Sequence, residues 1–509
     1  MEIEVRAVAK LRESPAAQAV LSPIVEALCS SPADLSRLRV VCDWIQYRSN
    51  FREPVTCRPV LAAVPPAGPP GSPPAESPPG SAGESCLEVA VDLRRLAGAD
   101  AAALVASALA ARAGAGGGGG RERPSPAQIM LEPWVPGRMS CIWRFNTLYW
   151  QALSHWEKAT GREYEQALPG GESDARNAGA ARELILELFS IWDDLAARRA
   201  LPGELYVLEI GVGNGSQART WLDAFAELDR SHGRDYYRRL HYLMGDYSAH
   251  VLERARQAVA HHGGHVSALV LEATRPAVTL GFLAGKTFLV YMSNVYDNLP
   301  TDEVACIHGR MYRVEVRAFI RAGDAERIAG RFGTTAGQLC SLTGRLLRIG
   351  PELMSESLPQ HFADTGQAVS FWQEVWDAIR LAERYVPLEG LDTYRVAPSL
   401  TGEILRPLLE AEGDVRMHVS NGALSSFAGT LPLLHPFGRV VCHDLFLTGR
   451  HQYRTGFCGP GKYDGSVVNW VNGPLLQLLA SRRGFGVQFS PFRQRPSANV
   501  KTLTAQVRD

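Results

Sequence analysis

The sequence predicts an α/β protein with a doubly wound, mostly parallel seven-stranded sheet, a helical insertion and a separate small N-terminal α+β module. Three observations lead to this prediction. Short apolar runs alternate with amphipathic helical stretches from residue 180 onward. The alternation lapses between positions 302 and 416, and two stretches rich in Pro, Gly, Ser and Ala interrupt the segment 1–127. The sequence therefore predicts one large α/β domain with additions.

Length, charge and cysteine content limit the classes of function. The 509 residues carry 53 Lys and Arg against 53 Asp and Glu, so no chain-wide field attracts nucleic acid or an anionic membrane. We expect neither as a partner. Because no apolar run reaches about 18 residues and the N-terminus lacks a signal-peptide core, we predict a cytoplasmic protein. The nine cysteines are scattered without a C-x-x-C pair, so we expect no structural metal and no disulfide framework.

The N-terminal segment predicts a module and two linkers. Residues 1–111 contain apolar runs and helical stretches but are interrupted by a Pro-rich linker at 64–82, which cannot form a core. A Gly-rich linker follows at 112–127. We interpret residues 1–111 as an accessory or interaction module, with a part in the catalytic machinery as the alternative.

Aromatic residues are concentrated in the next segment, 128–200, which we interpret as a helical cover packed on the following domain. Aromatics interleaved with arginine also suit base stacking, which is the alternative. The aromatic residues are Trp134, Trp143, Phe145, Tyr149, Trp150, Trp156 and Tyr164.

A glycine-rich turn follows the strand predicted at 205–208. The strand ends in Glu209, and Gly211, Gly213 and Gly215 occupy alternate positions before an amphipathic helix. Strand, tight turn and helix together hold a nucleotide-like ligand, because glycine admits a close backbone approach and the helix start offers free N–H groups. The alternative is an ordinary strand-to-helix turn. The spacing is G-x-G-x-G, not the G-x-G-x-x-G of dinucleotide-binding proteins.

Polar residues also follow the next three predicted strands. Ligands of open α/β sheets bind beyond the carboxyl ends of the strands, and an acid after the second strand can accept hydrogen bonds from ribose hydroxyls. We assign that role to Asp246. The other candidates are Tyr247 after the second strand, Glu272 and Ala273 after the third, and Ser293 and Asn294 after the fourth.

An acid two residues before the first of the three glycines resembles motif I of class I S-adenosylmethionine-dependent methyltransferases, over residues 175–300 and 412–509. Gly-Asp-Tyr-Ser at 245–248 and Ser-Asn-x-x-Asp-x-Leu-Pro at 293–300 are distantly similar to the MidA family, from which Val295 and Asn298 depart. The resemblance implies a Rossmann-like methyltransferase domain at 201–509 and S-adenosyl-L-methionine as cofactor. It implies a cofactor site made of Glu209, Gly211, Gly213, Gly215, Asp246, Tyr247, Glu272, Ala273, Ser293 and Asn294.

The catalytic candidates are His443, Asp444 and Asp297. The unperturbed pKa of histidine, about 6.5, suits a general base, so His443 is the candidate for that role. Asp444 or Asp297 could orient His443 or the acceptor. We interpret residues 302–416 as a helical lid that selects the acceptor, with simple packing or a homodimer surface as the alternative.

Four functions remain open from the sequence. The first is methyl transfer to an O or N atom of a small molecule such as a specialised metabolite. The second is methyl transfer to a protein arginine, as in some MidA-type enzymes that methylate a respiratory-complex protein, with Asp297 and Glu303 orienting the guanidinium. The third is a dinucleotide-dependent oxidoreductase, and the fourth is a non-catalytic assembly or scaffold protein with the same fold.

Overall fold

The computed structural model describes residues 2–6, 15–30, 35–45, 47, 49–62, 84–95, 98–115, 127–163, 178–411, 413–454, 459–493 and 499–508. The predicted Pro-rich linker at 64–82 lies outside the described residues, and so do 116–126 of the predicted Gly-rich linker and the aromatic candidate Tyr164. Residues 112–115 belong to a helix instead of the linker.

The described residues form alternating strands and helices. The strands are β1 (Glu2–Arg6), β2 (Leu38–Asp43), β3 (Val55–Leu61), β4 (Glu84–Asp92), β5 (Gln128–Met130), β6 (Val135–Pro136), β7 (Leu205–Ile210), β8 (Leu240–Asp246), β9 (Val266–Val270), β10 (Thr287–Ser293), β11 (Glu303–Ile307), β12 (Arg310–Arg321), β13 (Arg380–Pro387), β14 (Arg395–Ala397), β15 (Leu400–Thr401), β16 (Val415–His418), β17 (Leu434–Asp444), β18 (Phe446–Leu447), β19 (Gly461–Tyr463), β20 (Ser466–Val468), β21 (Val471–Asn472), β22 (Phe485–Pro491) and β23 (Lys501–Val507). The helices are α1 (Pro15–Cys29), α2 (Gly98–Ala115), α3 (Cys141–Gln151), α4 (Leu153–Thr160), α5 (Ala178–Ala197), α6 (Ser216–Ser231), α7 (Ala249–Ala258), α8 (Pro276–Leu280), α9 (Ala322–Arg331), α10 (Ala336–Ser357), α11 (Thr365–Ala378), α12 (Arg406–Leu409), α13 (Asn421–Thr430) and α14 (Gly473–Arg482).

One sheet has seven strands in the order β22-β23-β17-β10-β7-β8-β9. Strands β17, β10, β7, β8 and β9 run parallel, and β23 is antiparallel to both of its neighbours. Helices α5, α6 and α7 cover one face and α13 and α14 the other, so the central strands are buried on both sides. This double burial explains why the central strands are continuous apolar runs. The prediction of an α/β protein is confirmed.

A second sheet joins the N-terminal strands to the insertion. Its order is β1-β2-β4-β3-β13-β12-β11-β16, with β5 and β6 paired to β12. The prediction of a separate N-terminal module is therefore wrong. The buried Arg58 of β3 explains why, because it contacts Glu88 of β4 at 2.8 Å and Glu383 of β13 at 2.6 Å. The two carboxylates lie on different segments, so these buried charges are balanced only when the segments pair.

The second sheet is curled so that its two ends meet. Arg39 of β2 forms an ion pair with Asp414, next to β16, although these strands lie near opposite ends of the strand order. Nε2 of His308, in the β11–β12 turn, lies 3.2 Å from a carboxylate oxygen of Glu2 in β1. The N-terminal strands thus close against the insertion at two places.

Three further segment predictions need correction. The insertion at 302–416 contains helices α9 to α11, but it is not wholly helical, because β11, β12, β13 and β16 form half of the second sheet. The apolar pattern of residues 369–384 predicts one helix over this range, but the helix ends at Ala378 and β13 begins at Arg380. Nζ of Lys462 donates to the carbonyls of Trp376, Asp377 and Ile379 at this helix end. The predicted cover at 128–200 is not one unit: α3 and α4 pack with α10 and α11, whereas α5 packs on the seven-stranded sheet.

Asp464 anchors α3 and α4 to the β19–β20 hairpin. Its Oδ2 accepts hydrogen bonds from Tyr149 Oη at 3.0 Å and from Trp156 Nε1 at 2.9 Å. The Asp464→Ala variant removes the acceptor of both hydrogen bonds, so we expect the free energy of unfolding to fall by about 2 kcal/mol in urea denaturation. Asp235→Ala removes only exposed ion pairs and should cost less than about 0.5 kcal/mol. Equal losses in the two variants would contradict the anchoring role.

None of the helices within the described part of the chain is both long and apolar enough to cross a membrane.

Candidate functional site

The glycine loop links the end of β7 to the start of α6. Gly211, Gly213 and Gly215 have φ angles of 77°, 58° and 80°, in the left-handed region that favours glycine. A Cβ on Gly211 would lie 2.5 Å from Cγ2 of Val295, and one on Gly215 would lie 2.6 Å from Cα of Ala255. The loop is therefore pressed between the turn after β10 and helix α7, and side chains there would displace one of them.

Two acids lie against this loop. Glu209 is 3% exposed and accepts a hydrogen bond of 2.6 Å from Tyr242 Oη on β8. Burial raises the pKa of Glu209 to about 8, although the tyrosine hydrogen bond opposes the shift. The half-buried Asp246 accepts backbone hydrogen bonds from Gly213 at 3.3 Å and Ser248 at 3.0 Å. Burial raises its pKa to about 6.

The remaining candidates after β8 and β9 are more exposed. Tyr247 is 37% exposed, and its hydroxyl accepts a hydrogen bond of 3.0 Å from Nε2 of Gln151, the last residue of α3. This contact brings α3 to the carboxyl end of β8. Glu272 is exposed and accepts a hydrogen bond from the Thr274 hydroxyl, while Ala273 is half-buried against the core. Their cofactor contacts stay predictions.

The turn after β10 is held by the neighbouring strand. Asn294 has a φ of 51°, and its N–H donates to the carbonyl of His443 at 2.9 Å. Ser293, the last residue of β10, has a buried hydroxyl that makes no hydrogen bond within the described residues. The backbone at this position is fixed while a side-chain oxygen is left available.

Asp444 stabilises the turn after β10 by accepting hydrogen bonds from its backbone. Its Oδ2 accepts backbone N–H groups of Val295 at 3.1 Å, Tyr296 at 2.8 Å and Asp297 at 3.4 Å, and its Oδ1 accepts that of Leu445 at 2.7 Å. The side chain is 0% exposed, and burial raises its pKa to about 6. Both oxygens are thus occupied by backbone, and the geometry is that of a positioning residue.

His443 lies on the opposite face of β17, because successive residues of a strand alternate. Its Nδ1 shares a hydrogen bond of 2.9 Å with Thr502 Oγ1, so the predicted orientation of His443 by Asp444 is wrong. Burial lowers the pKa of His443 to about 4, which makes the imidazole neutral and a weak base at neutral pH. Its Nε2 is buried and has no hydrogen-bond partner in the part of the chain that the structure describes.

Asp297 lies in the same turn and is 5% exposed. Its Oδ1 accepts from Asn298 Nδ2 at 2.8 Å, and its carbonyl accepts from Asn469 Nδ2 at 2.6 Å. Burial first, and then the nearby charge of Asp444, raises the pKa of Asp297 well above its ordinary value. The raised pKa favours the protonated form of this carboxyl, which can donate a hydrogen bond.

The charges at this edge of the sheet are unbalanced. Glu209, Asp246, Asp297 and Asp444 all lie at the carboxyl ends of β7, β8, β10 and β17, and burial raises the pKa of each. Among the described residues, none of the four forms an ion pair with Lys, Arg or His. Ionising such a group is costly without a positive charge nearby, so the site favours a cationic ligand.

The hydroxyl partners of two candidates escape prediction from the sequence. Tyr242 on β8 forms a hydrogen bond with Glu209 on β7, and Thr502 on β23 forms one with His443 on β17. Strand register decides which residues lie side by side on adjacent strands, and a one-residue shift would change both partners.

Comparison with known proteins finds structural similarity only. No family model and no curated protein matches the sequence. A candidate methyl transferase from Burkholderia thailandensis, with S-adenosyl-homocysteine bound, is 14% identical with a TM-score of 0.42, covering 73% of this chain and 88% of its own. The DszA carbon methyltransferase is 13% identical with a TM-score of 0.31, covering 73% and 67%. The trans-methyltransferase CalH in complex with SAH is 13% identical with a TM-score of 0.28, covering 60% and 52%. The chain is thus distantly similar in structure to S-adenosylmethionine-dependent methyltransferases.

Proposed function

We propose that this protein is an S-adenosyl-L-methionine-dependent methyltransferase that acts on an O or N atom of a small molecule. One observation carries the proposal: the glycine loop shares one edge of the sheet with four carboxyl groups whose pKa values are raised by burial and which have no cationic partner among the described residues. S-adenosylmethionine carries a positive sulfonium and a positive amino group. A cation of this kind compensates the carboxylates on binding.

The same electrostatics disfavour a dinucleotide. The pyrophosphate of NAD is anionic, and the loop would bring it next to Glu209 and Asp246. Like charges in a partly desolvated site repel each other. The oxidoreductase alternative therefore lacks support from the residues around the loop.

The residues of the chain have distinct roles in this proposal. The cofactor supplies an already activated methyl group, so the protein mainly aligns the acceptor, which can lower the barrier by roughly 7–11 kcal/mol at best. Asp246 accepts hydrogen bonds from the ribose hydroxyls, and Glu209 compensates the positive charge. Asn294 and Ser293 lie at the end of β10, where Asp444 and His443 hold the backbone turn.

We assign His443 and Asp297 a more limited role than that of a general base and the residue that orients it. The neutral His443 can accept a hydrogen bond at Nε2 when Nδ1 carries the proton, and the raised pKa of Asp297 favours the form that donates one. Both can orient a neutral hydroxyl or amine. The arginine-methylating alternative needs Glu303 as well, but this residue pairs with Arg416 and His418 in the second sheet. A small neutral acceptor is the better match.

Cofactor affinity should depend on pH. Asp246 and Asp444 have pKa values of about 6 and Glu209 of about 8, so these groups lose their protons as the pH rises through 6 to 8. A cationic ligand binds the ionised form more tightly, and we expect the dissociation constant for S-adenosylmethionine to fall over this range. Titration calorimetry between pH 5.5 and 8.5 measures it. A flat profile would show that these carboxylates do not face the ligand.

Two experiments test the function itself. Calorimetric titration with S-adenosylmethionine and with NADH should show binding of the first alone. Transfer of a labelled methyl group in a cell extract should place label in the small-molecule fraction, and Gly213→Arg should abolish it by filling the loop. Label in a protein band would favour the arginine alternative. Cofactor binding without any label would favour the non-catalytic scaffold.

A further inference from the structure

Three potential metal ligands converge on the surface of the seven-stranded domain, apart from the proposed cofactor site. Asp223 lies on α6, and His261 and His262 lie in the short turn Ala260–His262 after α7. Nε2 of His261 lies 2.9 Å and Nε2 of His262 lies 3.0 Å from the same oxygen, Oδ1 of Asp223. The ligand atoms of the three residues all lie within 4.8 Å of one another.

The arrangement has the supporting contact that histidine ligands need. Nδ1 of His262 shares a hydrogen bond of 2.5 Å with Tyr237 Oη, which fixes the ring and directs Nε2 toward Asp223. A second contact of this type orients most metal-bound histidines. The backbone is also fixed, since the N–H of His262 donates to Val259 and that of His265 donates to His262.

The three residues can adapt to an ion at little cost. Atoms bound to one tetrahedral zinc lie about 3.3 Å apart, because each sits roughly 2.0–2.1 Å from the metal. The two nitrogen–oxygen separations of 2.9 and 3.0 Å need to grow by only a few tenths of an ångström, and the ligand atoms of the two histidines lie within 4.8 Å of each other. Asp223 and His261 are 54% and 55% exposed, so both side chains are free to move by that amount.

We propose that Asp223, His261 and His262 bind a divalent transition-metal ion, with Zn²⁺ as the preferred ion. Two imidazoles and one carboxylate suit Zn²⁺, with water in the fourth position, and do not suit Mg²⁺, which prefers oxygen ligands. The scattered cysteines argue only against a structural zinc bound by cysteine. The present site has two histidines and one aspartate as ligands, so that argument does not apply to it.

The ion connects two helices that begin at the proposed cofactor loops. Helix α6 starts directly after Gly215, and α7 starts after its cap residue Ser248. The start of α6 touches the second half of α7, where Gly215 approaches Ala255. The metal joins Asp223, in the middle of α6, to the turn after α7, so it acts as a clamp on the packing of the two helices and stabilises the folded chain by binding to it alone.

The test uses the full chain after treatment with a chelator. Titration of zinc chloride by calorimetry should show about one tight site per chain, and Zn²⁺, but not Mg²⁺, should raise the melting temperature. Asp223→Asn and His261→Ala change exposed side chains, so both variants should fold. We expect each to weaken Zn²⁺ binding at least about tenfold and to lose the rise in melting temperature.

His308→Ala is the matched control. His308 lies in a comparable exposed group with Glu2 and Asp414, on the second sheet, and this variant should bind Zn²⁺ as the unaltered chain does. Unchanged Zn²⁺ affinity in Asp223→Asn and His261→Ala would overturn the proposal. So would a loss in His308→Ala as large as in those two variants.

Discussion

Replacing Glu209 by Gln should weaken the binding of S-adenosylmethionine by about tenfold to a hundredfold, the usual worth of an interaction with a charged group. Gln keeps the shape of the side chain and an oxygen that accepts the hydrogen bond from Tyr242. Only the negative charge is lost. Titration calorimetry at pH 8, where about half of Glu209 is ionised, measures the effect.

The same substitution should stabilise the protein without ligand. The pKa of Glu209 is raised to about 8 from its ordinary value near 4.5, so the folded chain holds this proton more tightly than the unfolded chain. Its contribution to stability is complete below pH 4.5 and is lost as the pH rises through about 8. Above pH 8, Glu209→Gln should therefore unfold at a higher urea concentration than the unaltered chain.

Glu204→Gln is the control for both measurements. Glu204 lies just before β7, is exposed and belongs to no buried site. It should change neither the affinity nor the unfolding midpoint. If Glu209→Gln binds the cofactor as tightly as this control does, the carboxylate does not compensate the cation and the electrostatic basis of the proposed function fails.

Gly215→Ala should lower the free energy of unfolding by about 3 kcal/mol. Its φ of 80° costs a side-chain-bearing residue about 1 kcal/mol, and the added Cβ would lie 2.6 Å from Cα of Ala255. That neighbour is backbone and cannot rotate away, so overpacking adds about 2 kcal/mol. Urea denaturation followed by circular dichroism measures the loss.

Gly233→Ala separates the cost of the positive φ angle from the cost of overpacking. Gly233 also has a positive φ, of 64°, but a Cβ there would meet nothing within 4 Å. We expect it to lose only about 1 kcal/mol. A Gly215→Ala variant as stable as Gly233→Ala would mean that α6 and α7 separate easily, and that the loop is less tightly held than the contacts indicate.

The glycine loop and the strands around it could be predicted because their signals are local. An apolar run such as Thr287–Ser293 is buried on both faces, and this demands continuous apolar sequence. The three glycines have positive φ angles that other residues avoid, so their spacing alone marks the turn. The cofactor candidates at strand ends could be chosen from the sequence because ligands of open α/β sheets bind beyond the carboxyl ends of the strands.

Strand β13 and the N-terminal strands could not be placed in the same way. The helical pattern of residues 369–384 includes residues 380–384, but residues 380–387 form a strand because β12 pairs with them along their whole length. Strand β3 joins β13 through Val60 and Tyr385, which are far apart in the chain. A contact between such distant segments leaves no trace in local periodicity.

The sequence by itself determined the α/β class, the glycine loop and the acids at the ends of successive strands, because apolar period and glycine content act over short stretches of chain. The tertiary structure decided that the N-terminal strands share a sheet with the insertion. The buried Arg58 pairs with both Glu88 and Glu383 only when these distant segments of the chain come together. It also decided the roles of His443 and Asp444. These residues adjoin in sequence but face opposite sides of the sheet, and burial set their pKa values.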